Sequence, residues 1–270
     1  MTRIYEGARP KPAHIPLDEY DSDVELGLLK TGKEADVYLV ERSGPAGSCL
    51  LAAKRYRPPE HRGFKNDAAY RAHRRVTGMV RDRGDRRMAM GGRNLQKAMD
   101  QRSSYGRKAI AEQWIATEHE TLERLWEAGA PVPYPVGRLE DGILMEYVGD
   151  ADAAAPRLAQ AHLEPGEVAG IFDQVREALR AFARAGIVHA DLSAYNALVW
   201  EGRLWIIDLP QAVPFLATND ATDFLHRDVV NICSWFVRKG LEIDPEEVFV
   251  EVVNELFDYQ MEDLFFSHGT

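Results

Sequence analysis

Cysteine is scarce in this sequence, since only Cys49 and Cys233 occur among its 270 residues and they lie far apart. They cannot supply a disulfide framework or a cysteine-rich zinc site, which favours a reducing compartment. Between Met1 and Pro16 there is no apolar core of the kind a signal peptide needs. No run of about 18 apolar residues indicates a membrane span either. We therefore expect a cytoplasmic protein without a membrane partner.

Basic charge is also in short supply overall, because 33 Lys+Arg face 43 Asp+Glu and the net charge is −10. This balance argues against a protein that binds nucleic acid over its whole surface. The average conceals a local reversal, since residues 55–108 contain 16 basic and 5 acidic side chains. We predict a long basic insert over residues 57–108. Its charge predicts a surface that binds RNA, an acidic protein or the acidic part of the chain itself. The alternative is that the charge only aids solubility.

Hydrophobic patterning predicts an α+β protein in two parts. A proline-containing lead-in covers residues 1–24, and strand patterns separated by turns then dominate residues 25–148. One main helix interrupts them over residues 111–128, where apolar residues recur at helical spacing. Helical patterns dominate residues 149–270. The sequence therefore predicts a β-rich N-terminal lobe with one main helix, followed by a mostly helical C-terminal lobe.

The stretch from Ile187 to Asn196 is the most informative for chemistry. His189, Asp191 and Asn196 fit the frame His-x-Asp-x-x-x-x-Asn of kinase catalytic loops, in which the Asp orients the acceptor hydroxyl and the Asn holds a metal ion. A surface turn, in which the same side chains only satisfy the backbone, is the alternative. Asp208 favours the kinase interpretation, because an acid at the end of an apolar strand suits a second Mg²⁺ ligand.

Lys54 and Glu118 form a second candidate pair. Lys54 ends an apolar run, so we expect its ammonium group to emerge from a strand. Glu118 lies four residues after Trp114 and four before Leu122, on the apolar stripe of the predicted helix, where a carboxylate is costly unless a cation meets it. In kinases such a pair holds the lysine against the ATP phosphates. The alternative is that Glu118 contacts a local group.

The loop around Gly32 is a third candidate. It contains a single glycine, so it matches neither the frame Gly-x-Gly-x-x-Gly nor the Walker frame. By motif counting alone, an ordinary hairpin turn is therefore the favoured interpretation. Thr31 and the backbone amides near Gly32 would cradle phosphates, while Lys33 would add positive charge.

Several segments, taken in order along the chain, resemble the RIO family of atypical serine/threonine protein kinases. The resemblance extends from about residue 26 to residue 240 and includes the glycine loop, the helix with its Pro-rich exit, the hinge, the catalytic loop and the segment after the second metal ligand. The matching runs are TGKEADVY from Thr31, AGAPVPYP from Ala128, LMEY from Leu144, IVHADLSAYN from Ile187 and IIDLPQAV from Ile206.

The resemblance implies a reduced, two-lobed protein-kinase-like fold that binds ATP and Mg²⁺, with Mn²⁺ as a substitute. It also implies serine autophosphorylation, ATP hydrolysis and a link to ribosome maturation. With this link, ribosomal RNA or a pre-ribosomal particle becomes the expected partner of the basic insert. Carried over by position, the implied roles are phosphate contact for Lys54, orientation of that lysine for Glu118, catalytic base for Asp191, metal binding for Asn196 and Asp208, and adenine contact for Met145, Glu146 and Tyr147.

Ser103 and Ser104 are the candidates for self-phosphorylation, because Arg102 and Arg107 flank them and would pair with a phosphoserine. The expected substrate is another protein or the chain itself. Two alternatives stay open. One is a small-molecule phosphotransferase of the aminoglycoside type, which shares the catalytic-loop frame. The other is an ATP-gated assembly factor that holds RNA or the ribosome through the basic insert.

Overall fold

The computed structural model describes residues 8–18, 21–57 and 104–266, with side chains over most of these ranges. Most of the predicted basic insert lies outside the described residues, and so do Ser103 and the side chain of Ser104. None of the helices within these ranges is long and apolar enough to cross a membrane.

The chain divides into two compact units. The first contains Met1–Thr121 and Tyr134–Tyr147, and the second contains Leu122–Pro133 and Val148–Thr270. The fold is α+β as predicted, because the described part of the first unit is mostly sheet and that of the second is mostly helix.

A five-stranded antiparallel sheet forms the body of the first unit. Its strands lie in the order β1-β2-β3-β5-β4, which makes β3 the central strand. The strands are β1 at Ser22–Thr31, β2 at Ala35–Gly44, β3 at Gly47–Tyr56, β4 at Pro135–Arg138 and β5 at Gly142–Glu146. The predicted hairpins on either side of the main helix are both present.

The centre of the sheet depends on a close approach of β3 and β5. Leu51 and Ala53 of β3 are buried, as their apolar run suggests. A Cβ built on Gly142 would overlap the carbonyl oxygen of Lys54, so glycine is required where β5 begins. The approach fixes the register in which Lys54 lies opposite Ile143.

The lead-in before the sheet packs onto the first unit. Ala8 and Ile15 are both buried. The Tyr134 hydroxyl donates a hydrogen bond to the carbonyl oxygen of Ala8 at 3.1 Å. A second contact joins His14 Nε2 to Glu146 Oε1 at 3.0 Å. Residues 8–18 therefore contribute to the apolar core of this unit as well as preceding it.

The main helix, α1, covers Ser104–Glu127 and so begins seven residues before the predicted start. Ile115, Leu122 and Leu125 are buried along it, in agreement with the apolar stripe read from the sequence. Glu118 lies on the same stripe and is also buried.

The second unit is built mainly from helices, with two small antiparallel pairs of strands. Strand β6 pairs with β9, and β7 pairs with β8. The elements are α2 at Pro165–Arg184, β6 at Ile187–Val188, β7 at Ala197–Trp200, β8 at Arg203–Ile206, β9 at Val213–Pro214, α3 at Ala221–Arg238 and α4 at Pro245–Phe266.

Apolar and ionic contacts join the helices of this unit. Phe172 of α2 and Phe236 of α3 lie with ring centroids 5.1 Å apart, a separation at which aromatic rings attract each other. Arg176 of α2 forms an ion pair with Glu251 of α4 at 2.7 Å. The helices thereby support the short strands that carry the catalytic-loop residues.

Candidate active site

The Lys54–Glu118 pair predicted from the sequence is present in the first unit. Lys54 lies on the central strand β3, between Val37 of β2 and Ile143 of β5. Its Nζ donates a hydrogen bond to Glu118 Oε1 at 2.7 Å. The two residues are only 8% and 5% exposed. A buried ammonium group is thus held in one position by a buried carboxylate.

The glycine loop connects β1 to β2 in the same unit. The Gly32 N–H donates to the Ala35 carbonyl oxygen at 2.9 Å, and a Cβ at position 32 would lie 2.8 Å from that oxygen. Glycine is therefore needed for the close approach, and its amide is already engaged. Thr31 and Lys33 of the same loop are exposed.

The predicted adenine-binding residues lie at the end of β5. Met145 pairs with Ala52 across the sheet, and Tyr147 follows the strand. The Glu146 N–H donates to the Tyr134 carbonyl oxygen at 2.9 Å, while its carboxylate accepts a hydrogen bond from the Tyr134 N–H at 3.1 Å. The N–H and carboxylate of Glu146 thus have partners within the fold.

His189 organises the catalytic loop of the second unit. Its Nε2 lies 3.1 Å from the carbonyl oxygen of Ile207, and its Nδ1 accepts a hydrogen bond from the Asp191 N–H at 3.3 Å. A ring that donates from Nε2 and accepts at Nδ1 is neutral. Burial lowers the pKa of His189, which agrees with a neutral ring. The ring links the catalytic loop to the segment before Asp208.

Asp228 of α3 binds the backbone of the same loop. Its carboxylate oxygens accept hydrogen bonds from the N–H groups of Ala190 at 2.7 Å and Leu192 at 2.9 Å. Ala190 has φ of 65°, a left-handed conformation that is unfavourable for alanine. The two hydrogen bonds flank Asp191, so Asp228 holds this unusual turn and with it the candidate base.

Asn196 and Asp208 are brought together by the β7–β8 hairpin. Ala197 pairs with Ile206 on the first rung, and the Asn196 carbonyl oxygen accepts the N–H of Ile207 at 2.9 Å. Asn196 thus pairs with Ile207, and Asp208 is the next residue, so both candidate metal ligands lie at the open end of the hairpin. Asp208 has φ of 71°, so its backbone is held in the left-handed region.

The side chain of Asn196 is oriented for a cation. Its Nδ2 donates to the backbone oxygen of Asp191 at 2.8 Å and to Asp191 Oδ2 at 3.2 Å. With the nitrogen used in this way, Oδ1 is the atom available as a ligand. Oxygen from an amide and from the carboxylate of Asp208 suits Mg²⁺, which usually takes one or two carboxylates and completes its shell with water and phosphate. The residues fit this metal.

Two residues that support the site were not predicted as such from the sequence. Asp228 follows Leu225 by three positions and precedes Ile232 by four, so it lies on an apolar stripe, the same signal that singled out Glu118. Arg57, whose guanidinium group pairs with Asp36, gave no comparable signal. Its partner is 21 residues away and is reached only through the pairing of β2 with β3.

Burial raises the pKa of Asp228 to about 7, against the lowering effect of the hydrogen bonds from the Leu192 and Ala190 amides. The pKa of an Asp in the unfolded chain is about 4. Between about pH 4 and pH 7 the folded state therefore binds more protons at this site. We expect the free energy of unfolding to fall as the pH rises through this window, by up to about 1.4 kcal/mol per pH unit.

Asp228→Asn should remove this contribution, since an amide does not titrate in that range. Denaturant unfolding of the two proteins at several pH values measures the difference directly, because all other groups are shared. The wild-type advantage should shrink between about pH 4 and pH 7. Parallel pH profiles for the two proteins would contradict the expectation.

The sheet with its buried lysine–glutamate pair, the His-x-Asp-x-x-x-x-Asn loop and the following Asp define a protein with a two-lobed, protein-kinase-like fold. The family model of the RIO domain matches residues 64–248. The chain belongs to the RIO family.

Curated relatives agree with this assignment. The RIO-type serine/threonine-protein kinase Rio1 of Haloferax volcanii is 37% identical over 54% of this chain and 49% of its own length. Its counterpart in Thermoplasma acidophilum is 36% identical over 53% of this chain and 73% of its own length. The probable serine/threonine-protein kinase RIO1 homolog of Encephalitozoon cuniculi is 31% identical over 88% of this chain and 60% of its own length. The chain thus spans about half the length of the first relative.

Proposed function

We propose that the protein is an ATP- and Mg²⁺-dependent serine/threonine protein kinase, which phosphorylates itself or another protein. The observation that carries the proposal is the hydrogen-bonded catalytic loop, in which Asn196 binds Asp191 and the β7–β8 hairpin adds Asp208. Relatives that carry the printed name of serine/threonine-protein kinase support the choice of reaction.

In this proposal Asp191 orients the acceptor hydroxyl and accepts its proton. The side chain is exposed, so an incoming serine can reach it. Asn196 holds one oxygen of Asp191 through Nδ2, and His189 holds its backbone N–H. Such orientation matters because a general base must lie within hydrogen-bonding reach of the proton it takes.

Asn196 and Asp208 would hold Mg²⁺ in this proposal, and the metal would neutralise charge on the transferred phosphoryl group. Within the described ranges no group of three or more His, Cys, Asp or Glu residues could hold a metal ion by itself. Two protein ligands are sufficient for a site that Mg²⁺ shares with phosphate oxygens and water.

Lys54 is proposed to contact the phosphates of ATP, with Glu118 as its positioning residue. Burial of the pair reduces the number of positions that the ammonium group can adopt. Thr31 and Lys33 would add contacts from the glycine loop, and Met145, Glu146 and Tyr147 would lie near the adenine. These roles follow from the family resemblance together with the contacts described above.

The finer parts of the proposal concern substrates and partners. Self-phosphorylation at Ser103 or Ser104, ATP hydrolysis, a role in ribosome maturation and RNA binding by the basic insert follow from the resemblance and from the charge of residues 55–108. The names of the relatives favour a protein acceptor over the small-molecule alternative.

Transfer of labelled γ-phosphate from ATP to the full chain tests the proposal. Wild-type protein should incorporate label only with Mg²⁺ or Mn²⁺, and Asp191→Asn should lower the rate at least about 10²-fold, the contribution typical of a general base. Asp152→Asn is the matched control, because Asp152 is an exposed aspartate of the same unit and should leave the rate unchanged. Equal incorporation by wild type and Asp191→Asn would refute the proposal.

A further inference from the structure

The glycine loop has an acidic residue at its exit that a triphosphate would repel. Asp36 follows the loop on β2 and lies opposite Thr31 of β1. If the loop binds phosphates, as the proposed function requires, a carboxylate this close to them is unfavourable unless a cation compensates for its charge.

Arg57 supplies that cation. Its Nη2 donates to Asp36 Oδ1 at 2.7 Å and its Nε donates to Asp36 Oδ2 at 3.1 Å. Such a two-point contact fixes orientation as well as charge. The hydrogen bond from the Arg57 side chain is the main reason that the pKa of Asp36 is lowered, so the carboxylate stays ionised and paired.

Arg57 also holds the loop through its backbone. The Arg57 N–H donates to the carbonyl oxygen of Glu34 at 2.9 Å. Thr31 and Gly32 add further interactions that lower the pKa of Asp36. Arg57, the first residue after β3, therefore contacts Glu34 and Asp36. These two residues flank Ala35, whose carbonyl accepts the Gly32 N–H.

We propose that Arg57 and Asp36 form a positioning pair for the phosphates of ATP, which fixes the glycine loop between β1 and β2 and compensates the negative charge at its exit. This inference depends on the proposed function, since it names how the same nucleotide is held. Neither residue is proposed to contact the reacting atoms.

The test compares the affinities of variants for MgATP and for adenosine, measured by calorimetry on the full chain. Arg57→Gln should weaken MgATP binding about fivefold, the upper range for loss of a partly exposed ion pair. It should leave adenosine binding unchanged, because the pair acts on the phosphates. Arg57→Lys should recover part of the loss, since it restores the charge without the two-point contact.

Arg55→Gln is the matched control. Arg55 lies two residues earlier on β3 and has its own ion pair with Glu25 at 2.9 Å, so the change in net charge is the same. The affinity of the Arg55→Gln variant for MgATP should stay within about twofold of that of the wild-type protein. In the Arg57→Gln background, Asp36→Asn should restore part of the MgATP affinity, because it removes the uncompensated carboxylate.

Failure of the inference and failure of the proposed function give different results. Wild-type affinity of Arg57→Gln for MgATP, alongside weakened binding by Lys54→Met, would overturn the inference alone. Equal losses of MgATP and adenosine affinity in Arg57→Gln would also overturn it, since they would indicate a general structural defect. Absence of MgATP binding by the wild-type protein would overturn both.

Discussion

An Asp208→Asn variant is expected to fold as stably as the wild-type protein and to lose about 10³-fold in the rate of phosphoryl transfer. Asp and Asn tolerate the left-handed backbone about equally well, and Asp208 has φ of 71°. The carboxylate is the anionic ligand proposed for Mg²⁺, and stabilisation of transition-state charge by a metal amounts to several kcal/mol. Rates of γ-phosphate transfer and denaturant unfolding measure the two effects separately.

Alanine at the same position separates backbone strain from chemistry. Asp208→Ala should lose the activity and also about 1 kcal/mol of stability, because a left-handed alanine is strained. Glu201 is the matched control, since it has φ of 50° in the turn between β7 and β8 and is exposed. Glu201→Ala should change stability little, because a left-handed glutamate is already as strained as a left-handed alanine, and it should keep full activity. Full activity in Asp208→Asn would exclude Asp208 from the metal site.

Lys54→Met is expected to lower the free energy of unfolding by about 3 kcal/mol, as well as weakening ATP binding. The lysine is 8% exposed and its partner Glu118 is 5% exposed. Removal of one member of a buried ion pair leaves the other charge buried without its counterion, which is strongly destabilising. Urea denaturation of the purified variant measures the loss.

The double variant Lys54→Met with Glu118→Leu tests this reason. Replacing both members with apolar side chains of similar size removes the buried charge, so most of the stability should return. ATP binding should not return, because the ammonium group proposed to contact the phosphates is gone. Additive losses of stability in the double variant would show that the two charges do not depend on each other.

A side chain whose partners are backbone groups is harder to predict from the sequence than one whose partner is another side chain. Glu118 could be predicted because its stripe of apolar neighbours makes an unpaired carboxylate unfavourable, and Lys54 could be predicted because it ends an apolar strand. Asp228 lies on a similar apolar stripe of α3, but the sequence indicates no cation to pair with it. Its partners are the backbone amides of Ala190 and Leu192. Every residue except proline has such an amide, so the sequence does not indicate which ones Asp228 will bind.

The start of the chain shows the same limit in the packing of the core. Its prolines predict an extended lead-in, but they do not indicate that Ile15 is buried or that Ala8 accepts a hydrogen bond from Tyr134. A contact between residues 126 positions apart forms only once the chain has folded, and the residue types of the lead-in do not specify its partner.

The sequence by itself determined the alternation of strands and helices, the Lys54–Glu118 pairing and the catalytic-loop frame, because periodicity and residue spacing are local properties. Only the tertiary structure decided that Arg57 compensates the charge of Asp36 and that Gly32 uses its amide inside its own loop. It likewise decided the left-handed backbones of Ala190 and Asp208. The Arg57–Asp36 pair joins residues of different strand ends, and the surrounding hydrogen bonds fix local backbone conformations that residue propensities alone disfavour.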